Sequence, residues 1–162
     1  MTTTPALHAN LVNTGLTDDQ TLGVAQAIRR GVQRMLRDRN CASLSELPLG
    51  NGRRADIIAI GPRCEIDIIE IKSCIGDYRS DRKWPEYRDY CDSLYFAVDA
   101  AFPLECLPSD VGIICADAYG AEILRPAPIT QLVAARRKAM LLSFARTAAV
   151  RLHALTDPTQ NF

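Results

Sequence analysis

Arg54-Ala-Asp-Ile-Ile-Ala-Ile60 and Glu65-Ile-Asp-Ile-Ile-Glu-Ile-Lys72 are two short apolar runs separated by Gly61, Pro62, Arg63 and Cys64. Each has the length and β-branched content of a strand, and the Gly-Pro break between them reads as a hairpin. Side chains alternate faces along a strand, so Glu70 and Lys72 point the same way, roughly 6 to 7 Å apart, and Asp67 points the other way. A three-residue loop of Pro62, Arg63 and Cys64 centres the pairing on Arg63. It sets Asp56 opposite Glu70, with Cβ atoms roughly 4.5 to 5.5 Å apart. Two carboxylates that close on an apolar sheet repel unless a cation sits between them. A two-residue loop would shift the register and send Asp56 to the other face.

On the N-terminal side, Thr17-Asp-Asp-Gln20 is a capping-box pattern with two acids in the first turn. Leu22, Ala25, Ile28, Val32, Met35 and Leu36 follow at helical spacing, predicting a helix to about Arg39 with Asn40 as its stop. Residues 43–49 read as a first strand, closed by Pro48 and the Gly50-Asn51-Gly52 turn. On the C-terminal side, residues 77–91 are polar and helical in pattern. Pro85 requires either a start near Asp81 or two short helices meeting there. Residues 93–98, 111–116 and 122–124 read as strands. Thr130 is expected to cap a long helix to about Leu155, with Leu141, Ala145, Ala148, Leu152 and Leu155 on its apolar stripe. The expected fold is α/β, a central mixed sheet flanked by helices in the order α-β-β-β-α-β-β-β-α. A loose arm over 1–16, one domain over 17–155 and a tail over 156–162 complete it.

A chain of 162 residues with 48% apolar content suits one globular domain. No apolar run approaches the roughly 18 residues of a membrane span. The start of the chain lacks the pattern of a secretory signal, so a cytoplasmic protein is expected. The six cysteines show no C-x-x-C spacing and there are two histidines, His8 and His153, which speaks against zinc. Net charge is zero but segregated. Arg29, Arg30, Arg34, Arg37 and Arg39 crowd the first helix, and 97–124 holds five acids with no Lys or Arg. Such segregation can build one basic face on a neutral protein.

The element order, with Asp56 on the second strand and Glu70-Ile71-Lys72 on the third, resembles the PD-(D/E)xK nuclease superfamily, the restriction-endonuclease-like fold. Lys83-Trp-Pro-Glu-Tyr87 has the spacing of the Q-x-x-x-Y motif of RecB-like members, with Lys in place of Gln. More closely, the chain resembles the MmcB-like family of bacterial DNA-repair endonucleases. Asn51-Gly-Arg-Arg-Ala-Asp56, Glu70-Ile-Lys-Ser73, Asp81-Arg-Lys-Trp-Pro-Glu-Tyr87, Cys91-Asp92 and Ala116-Asp-Ala-Tyr-Gly-Ala-Glu122 carry this likeness. Many superfamily members place a Glu on the first helix near the metal. Here that helix has Gln26 and Gln33, and Glu46 on the first strand is the candidate substitute.

The resemblance implies metal-dependent hydrolysis of DNA in repair, leaving a 5′-phosphate, in a bacterial cytoplasmic protein that meets the nucleoid when it acts. Other DNA-repair proteins are the expected partners. Asp56, Glu70 and the backbone carbonyl of Ile71, with Glu46 in reserve, are oxygen donors suited to Mg²⁺ or Mn²⁺. Lys72 would face the attacking water and the phosphate. Lys83 and Tyr87, one helical turn apart, would contact the substrate. Arg53 and Arg54 at the rim, and Arg136 and Arg137 on the last helix, would position backbone phosphates. The alternative is a nucleic-acid-binding module with the same fold and weak catalysis.

Overall fold

The computed structural model describes residues 17–157. The expected arm over 1–16, His8 and the end of the tail beyond 157 lie outside the described residues. The chain runs α1 (Asp18–Asp38), β1 (Ala42–Pro48), β2 (Arg54–Ile60), β3 (Ile66–Ile71), α2 (Ile75–Ser80), β4 (Ser93–Val98), β5 (Gly112–Ala116), β6 (Ala121–Arg125) and α3 (Ala134–Thr156). Short 3₁₀ helices at Trp84–Tyr90 and Leu104–Cys106 fill the connections around β4. The α-β-β-β-α-β-β-β-α order is therefore observed.

The Thr17 capping box closes as predicted. Thr17 N–H donates to Gln20 Oε1 at 3.0 Å and Gln20 N–H to Thr17 Oγ1 at 3.4 Å. At the other end Asn40 takes φ 59°, the left-handed conformation that stops a helix. Six strands form one sheet in the order β1-β2-β3-β4-β5-β6. β1, β2 and β3 are antiparallel, β3-β4 and β4-β5 are parallel, and β6 returns antiparallel. The parallel centre explains why β3 and β4 read as nearly continuous apolar runs, since both of their faces are covered.

The β2–β3 hairpin takes the three-residue loop. Gly61 N–H donates to the Glu65 carbonyl at 2.9 Å, and Cys64 sits at φ 63°, the left-handed residue such a loop needs. Pairing runs Ile60↔Ile66 to Ile57↔Ile69. The next step in this register sets position 56 against position 70.

One face of the sheet is covered by α1, with Ile28, Val32 and Leu36 packed on Ile57, Ile69, Ile71, Ala97 and Ile114. Gly31 lets α1 come close to the β5–β6 turn, because a Cβ there would lie 2.1 Å from the Asp117 carbonyl oxygen. The other face meets Tyr87, Tyr90 and Met140 over Leu47, Ile58, Ile66, Ile68 and Phe96.

The polar stretch 77–91 resolves into two short helices, α2 and a separate 3₁₀ helix with Pro85 in its first turn, which is the second of the two arrangements that Pro85 allows. Two expectations about the last helix are corrected. The last helix starts at Ala134, without a cap from Thr130. Asp92 holds the preceding segment out of helical form. Its carbonyl accepts Thr130 N–H at 2.8 Å and its carboxylate accepts Leu132 N–H at 2.9 Å. The contact stripe of α3 is also displaced. Met140 is its buried residue, Leu141 and Phe144 pack partly, and Leu152 and Leu155 are exposed. Arg151 ties the far half of α3 to the β1 carbonyls of Ser45 and Glu46.

Candidate active site

At positions 56 and 70 side chains replace the ladder. Asp56 N–H donates to Glu70 Oε1 at 3.1 Å, and Ile71 N–H donates to Asp56 Oδ2 at 2.9 Å. Each carboxylate thus closes the backbone of the other strand. β3 meanwhile has turned to β4, with Lys72 N–H on the Ala97 carbonyl at 2.9 Å. The two strands part here, and a cavity of about 320 Å³ opens between α1 and α2, lined by Arg29, Asp56, Glu70, Ile71, Lys72, Asp77 and Asp81 among others.

Glu70 and Lys72 are both nearly inaccessible, at 4% and 3%. Burial, and next the neighbouring Asp56 charge, pushes the Glu70 carboxyl up to about 8. Burial also raises Asp56, against the opposing pull of the Ile71 N–H and the Lys72 charge. A cation between the two would offset both the cost of burial and the repulsion between them. Among the described residues no three His, Cys, Asp or Glu side chains gather closely enough to hold a metal unaided. The donor set is two carboxylates beside a backbone carbonyl. It fits a hard cation that keeps several of its own waters, as Mg²⁺ does.

Lys72 has a partner the sequence did not reveal. Its Nζ lies 2.6 Å from Asp81 Oδ2 and 5.6 Å from the centre of the Phe96 ring. The other Asp81 oxygen accepts Lys83 N–H at 3.1 Å. Asp77, also unforeseen, accepts the Ser73 N–H and hydroxyl at 3.3 and 3.4 Å. Asp77 had only its place beside the motif to hint at it, while Asp81 opens the 81–87 stretch that carries part of the family likeness.

Several expected contacts are made elsewhere. Glu46, at φ 54°, pairs with Arg29 at 3.3 Å and Arg54 at 3.5 Å and does not line the cavity. It reaches the site only through Arg29. Arg53 is bidentate to Glu86 at 3.0 and 3.2 Å. Lys83 and Tyr87 do not share a face. Three residues per turn in a 3₁₀ helix separate positions four apart, leaving Lys83 exposed and Tyr87 buried. The Tyr87 hydroxyl donates to the Arg54 carbonyl at 3.2 Å, and burial together with the Glu70 charge raises its pKa. Arg136 stacks on Tyr90 at 4.5 Å. Arg137 grips the buried Asp92 with two bonds of 2.6 and 2.7 Å, so its guanidinium is committed to the fold. The cysteines are free thiols, and no helix among the described residues is long and apolar enough to cross a membrane.

The family model for MmcB-like DNA repair proteins matches residues 12–159, nearly the whole chain. The chain belongs to the MmcB-like family. The structure of this MmcB-like protein is also similar to that of the SPO1766 protein of unknown function from Silicibacter pomeroyi. The two share 45% identity over 85% of this chain and 94% of that one, with a TM-score of 0.81. None of the curated proteins searched matches it significantly. The solved relative shares the fold of the MmcB-like protein and, its function being unknown, assigns it no activity.

Proposed function

We propose that this protein is a Mg²⁺- or Mn²⁺-dependent deoxyribonuclease of the PD-(D/E)xK type, acting on DNA in repair within the cytoplasm. The observation that carries the reading is the sharing of one cavity by two carboxylates on adjacent strands, the half-buried Asp56 and the buried Glu70, with the Lys72 ammonium beside them. Membership of a DNA repair family supplies the biological setting.

Asp56, Glu70 and the Ile71 carbonyl would hold the cation. A bound divalent ion would polarise the phosphoryl oxygen and supply hydroxide near neutral pH. The protein does the rest. The two strand-to-side-chain bonds at 3.1 and 2.9 Å fix both carboxylates before any ligand arrives. Asp81 steers the Lys72 ammonium over the Phe96 ring, into the space a scissile phosphate would enter. There it offsets the charge that grows on the phosphoryl oxygens and positions the attacking water. Tyr87 braces the Arg54 backbone next to Asp56.

The same Lys72–Asp81 pair favours a second reading, a module that binds nucleic acid with its ammonium neutralised and turnover weak. A cleavage assay with Mg²⁺ and Mn²⁺ on duplex, flap, junction and single-stranded DNA separates the two. The nuclease reading expects metal-dependent cleavage, lowered at least ~10²-fold by Asp56→Ala or Lys72→Ala. Binding without cleavage by the wild type under every metal supports the module.

A further inference from the structure

The arginines of α1 have no place in the chemistry above. Gln26, Arg29, Arg30, Gln33, Arg34 and Arg37 fall at helical spacing on a face of α1 that flanks the one carrying Ile28, Val32 and Leu36. They line a groove of about 520 Å³ between α1 and the start of β1, closed by Cys41 and Ser43. Among the described residues the groove wall holds four arginines and no acid.

Each arginine has a distinct standing. Arg34 is held in place by two carbonyls, those of Ala118 and Tyr119, both at 3.2 Å, which orient its guanidinium and leave its charge intact. Arg30 is exposed and makes no side-chain hydrogen bond or ion pair among the described residues. Among the described residues Arg37 meets only its exposed chain neighbour Asp38, at 3.3 Å. Arg29 shares its charge with Glu46, and its buried Nε has no acceptor among the described residues. Arg29 also lines the acidic cavity, so the two spaces meet at that side chain.

From Arg29 to Arg37 is roughly 12 Å along the helix at 1.5 Å per residue. A lone anion would use one or two of these side chains, whereas a chain of phosphates could use them all. The neutral donors Gln26 and Gln33 interleave with the arginines and suit sugar and phosphate oxygens. We propose that the arginine face of α1 is a track for a nucleic-acid phosphodiester backbone, feeding it past Arg29 toward Asp56 and Glu70. The direction of travel rests on the nuclease reading, while the track itself is a binding site that can be measured without turnover. Because net charge is zero, affinity would depend on this face and not on the protein as a whole.

The test is fluorescence anisotropy of labelled single-stranded and duplex oligonucleotides with the full chain in EDTA, over a salt series. Arg30→Ala/Arg37→Ala is compared with Arg30→Lys/Arg37→Lys, and with Arg63→Ala/Arg146→Ala as a charge-matched control elsewhere. All four residues are exposed, and equal melting temperatures verify folding. The track predicts that the first pair weakens binding at least ~10-fold at low salt. It also predicts that the log–log salt slope falls by about 1.4 for single strands and 1.8 for duplex, the loss of two phosphate contacts. The lysine pair should retain most of the slope and the control should match wild type. Wild-type affinity in the alanine pair, equal losses in the control, no binding by wild type, or equal competition by an acidic peptide would each overturn it. An unchanged alanine pair alongside Asp56-dependent cleavage removes the track and leaves the nuclease. A weakened alanine pair with no cleavage by wild type sustains the track and removes the nuclease.

Discussion

Glu70 Oε1 accepts the backbone N–H of Asp56 at 3.1 Å, across the point where β2 and β3 cease to pair. The acid is thereby held inside the sheet's end at 4% exposure, next to a second carboxylate. Glu70→Gln keeps an acceptor for that N–H and removes a charge. In the metal-free protein it should stabilise the fold, on the order of 1 to 3 kcal/mol at pH 8. The pH dependence follows from the raised carboxyl. Between about 4.5 and 8 the unfolded chain has released this proton while the folded one keeps it, so wild-type stability falls as pH rises through that window. Urea melts in EDTA at pH 5 and pH 8 should show a drop that the Gln variant flattens. An equal drop in both would assign it elsewhere.

Asp81 should prove as necessary to the fold as to the chemistry. Asp81→Ala leaves the buried Lys72 ammonium without its 2.6 Å partner. Breaking a buried pair by removing one member costs about 3 to 5 kcal/mol. Denaturant midpoints report this directly, and a change under about 1 kcal/mol would show that Lys72 finds water instead.

Arg137→Ala carries a similar penalty for a different reason, since it strips two bonds from the buried Asp92 carboxylate. Burial alone would raise the Asp92 carboxyl, but the bonds from Arg137, Leu132 and Ile66 together hold it below the usual range. Its stabilisation is therefore present above the unfolded carboxyl value and is lost as pH falls through the folded one. The variant should melt lower at neutral pH and lose less than wild type on acidification below about pH 4. Where it is still folded, its DNA affinity should equal that of wild type.

Gly31→Ala should destabilise by about 1 to 3 kcal/mol, because the added methyl meets two backbone carbonyls, those of Asp117 and Gly120, at 2.1 and 2.3 Å. Carbonyls cannot step aside as a side-chain tip can, so α1 must lift from the β5–β6 turn. A thermal melt coincident with wild type would mean that the turn yields.

The sequence was most legible where structure is local. Gly61-Pro62 and the alternation on either side specify the loop length, and through it the register that brings Asp56 to Glu70. Thr17 to Gln20 and Asn40 mark both ends of α1 by their own chemistry. Features set by distant partners were not legible. Asp92, 40 positions from Leu132, decides where α3 may begin. Asp81 reaches Lys72 only because α2 reverses the chain between them. Glu46 belongs to a strand by pattern, yet its φ of 54° and its arginine partners take it out of the cavity. Lys83 and Tyr87 were placed on one face by α-helical spacing, and a tighter helix turned them apart.

The most direct measurement is a calorimetric titration of Mn²⁺ into the metal-freed full chain, beside Asp56→Ala and Glu70→Gln. Wild type should bind saturably, more strongly at pH 8 than at pH 5 as the carboxyl protons leave, and either variant should bind at least ~10-fold more weakly. No binding by wild type, or isotherms from both variants that overlay it, would contradict the claim that these two carboxylates are held together to share a cation.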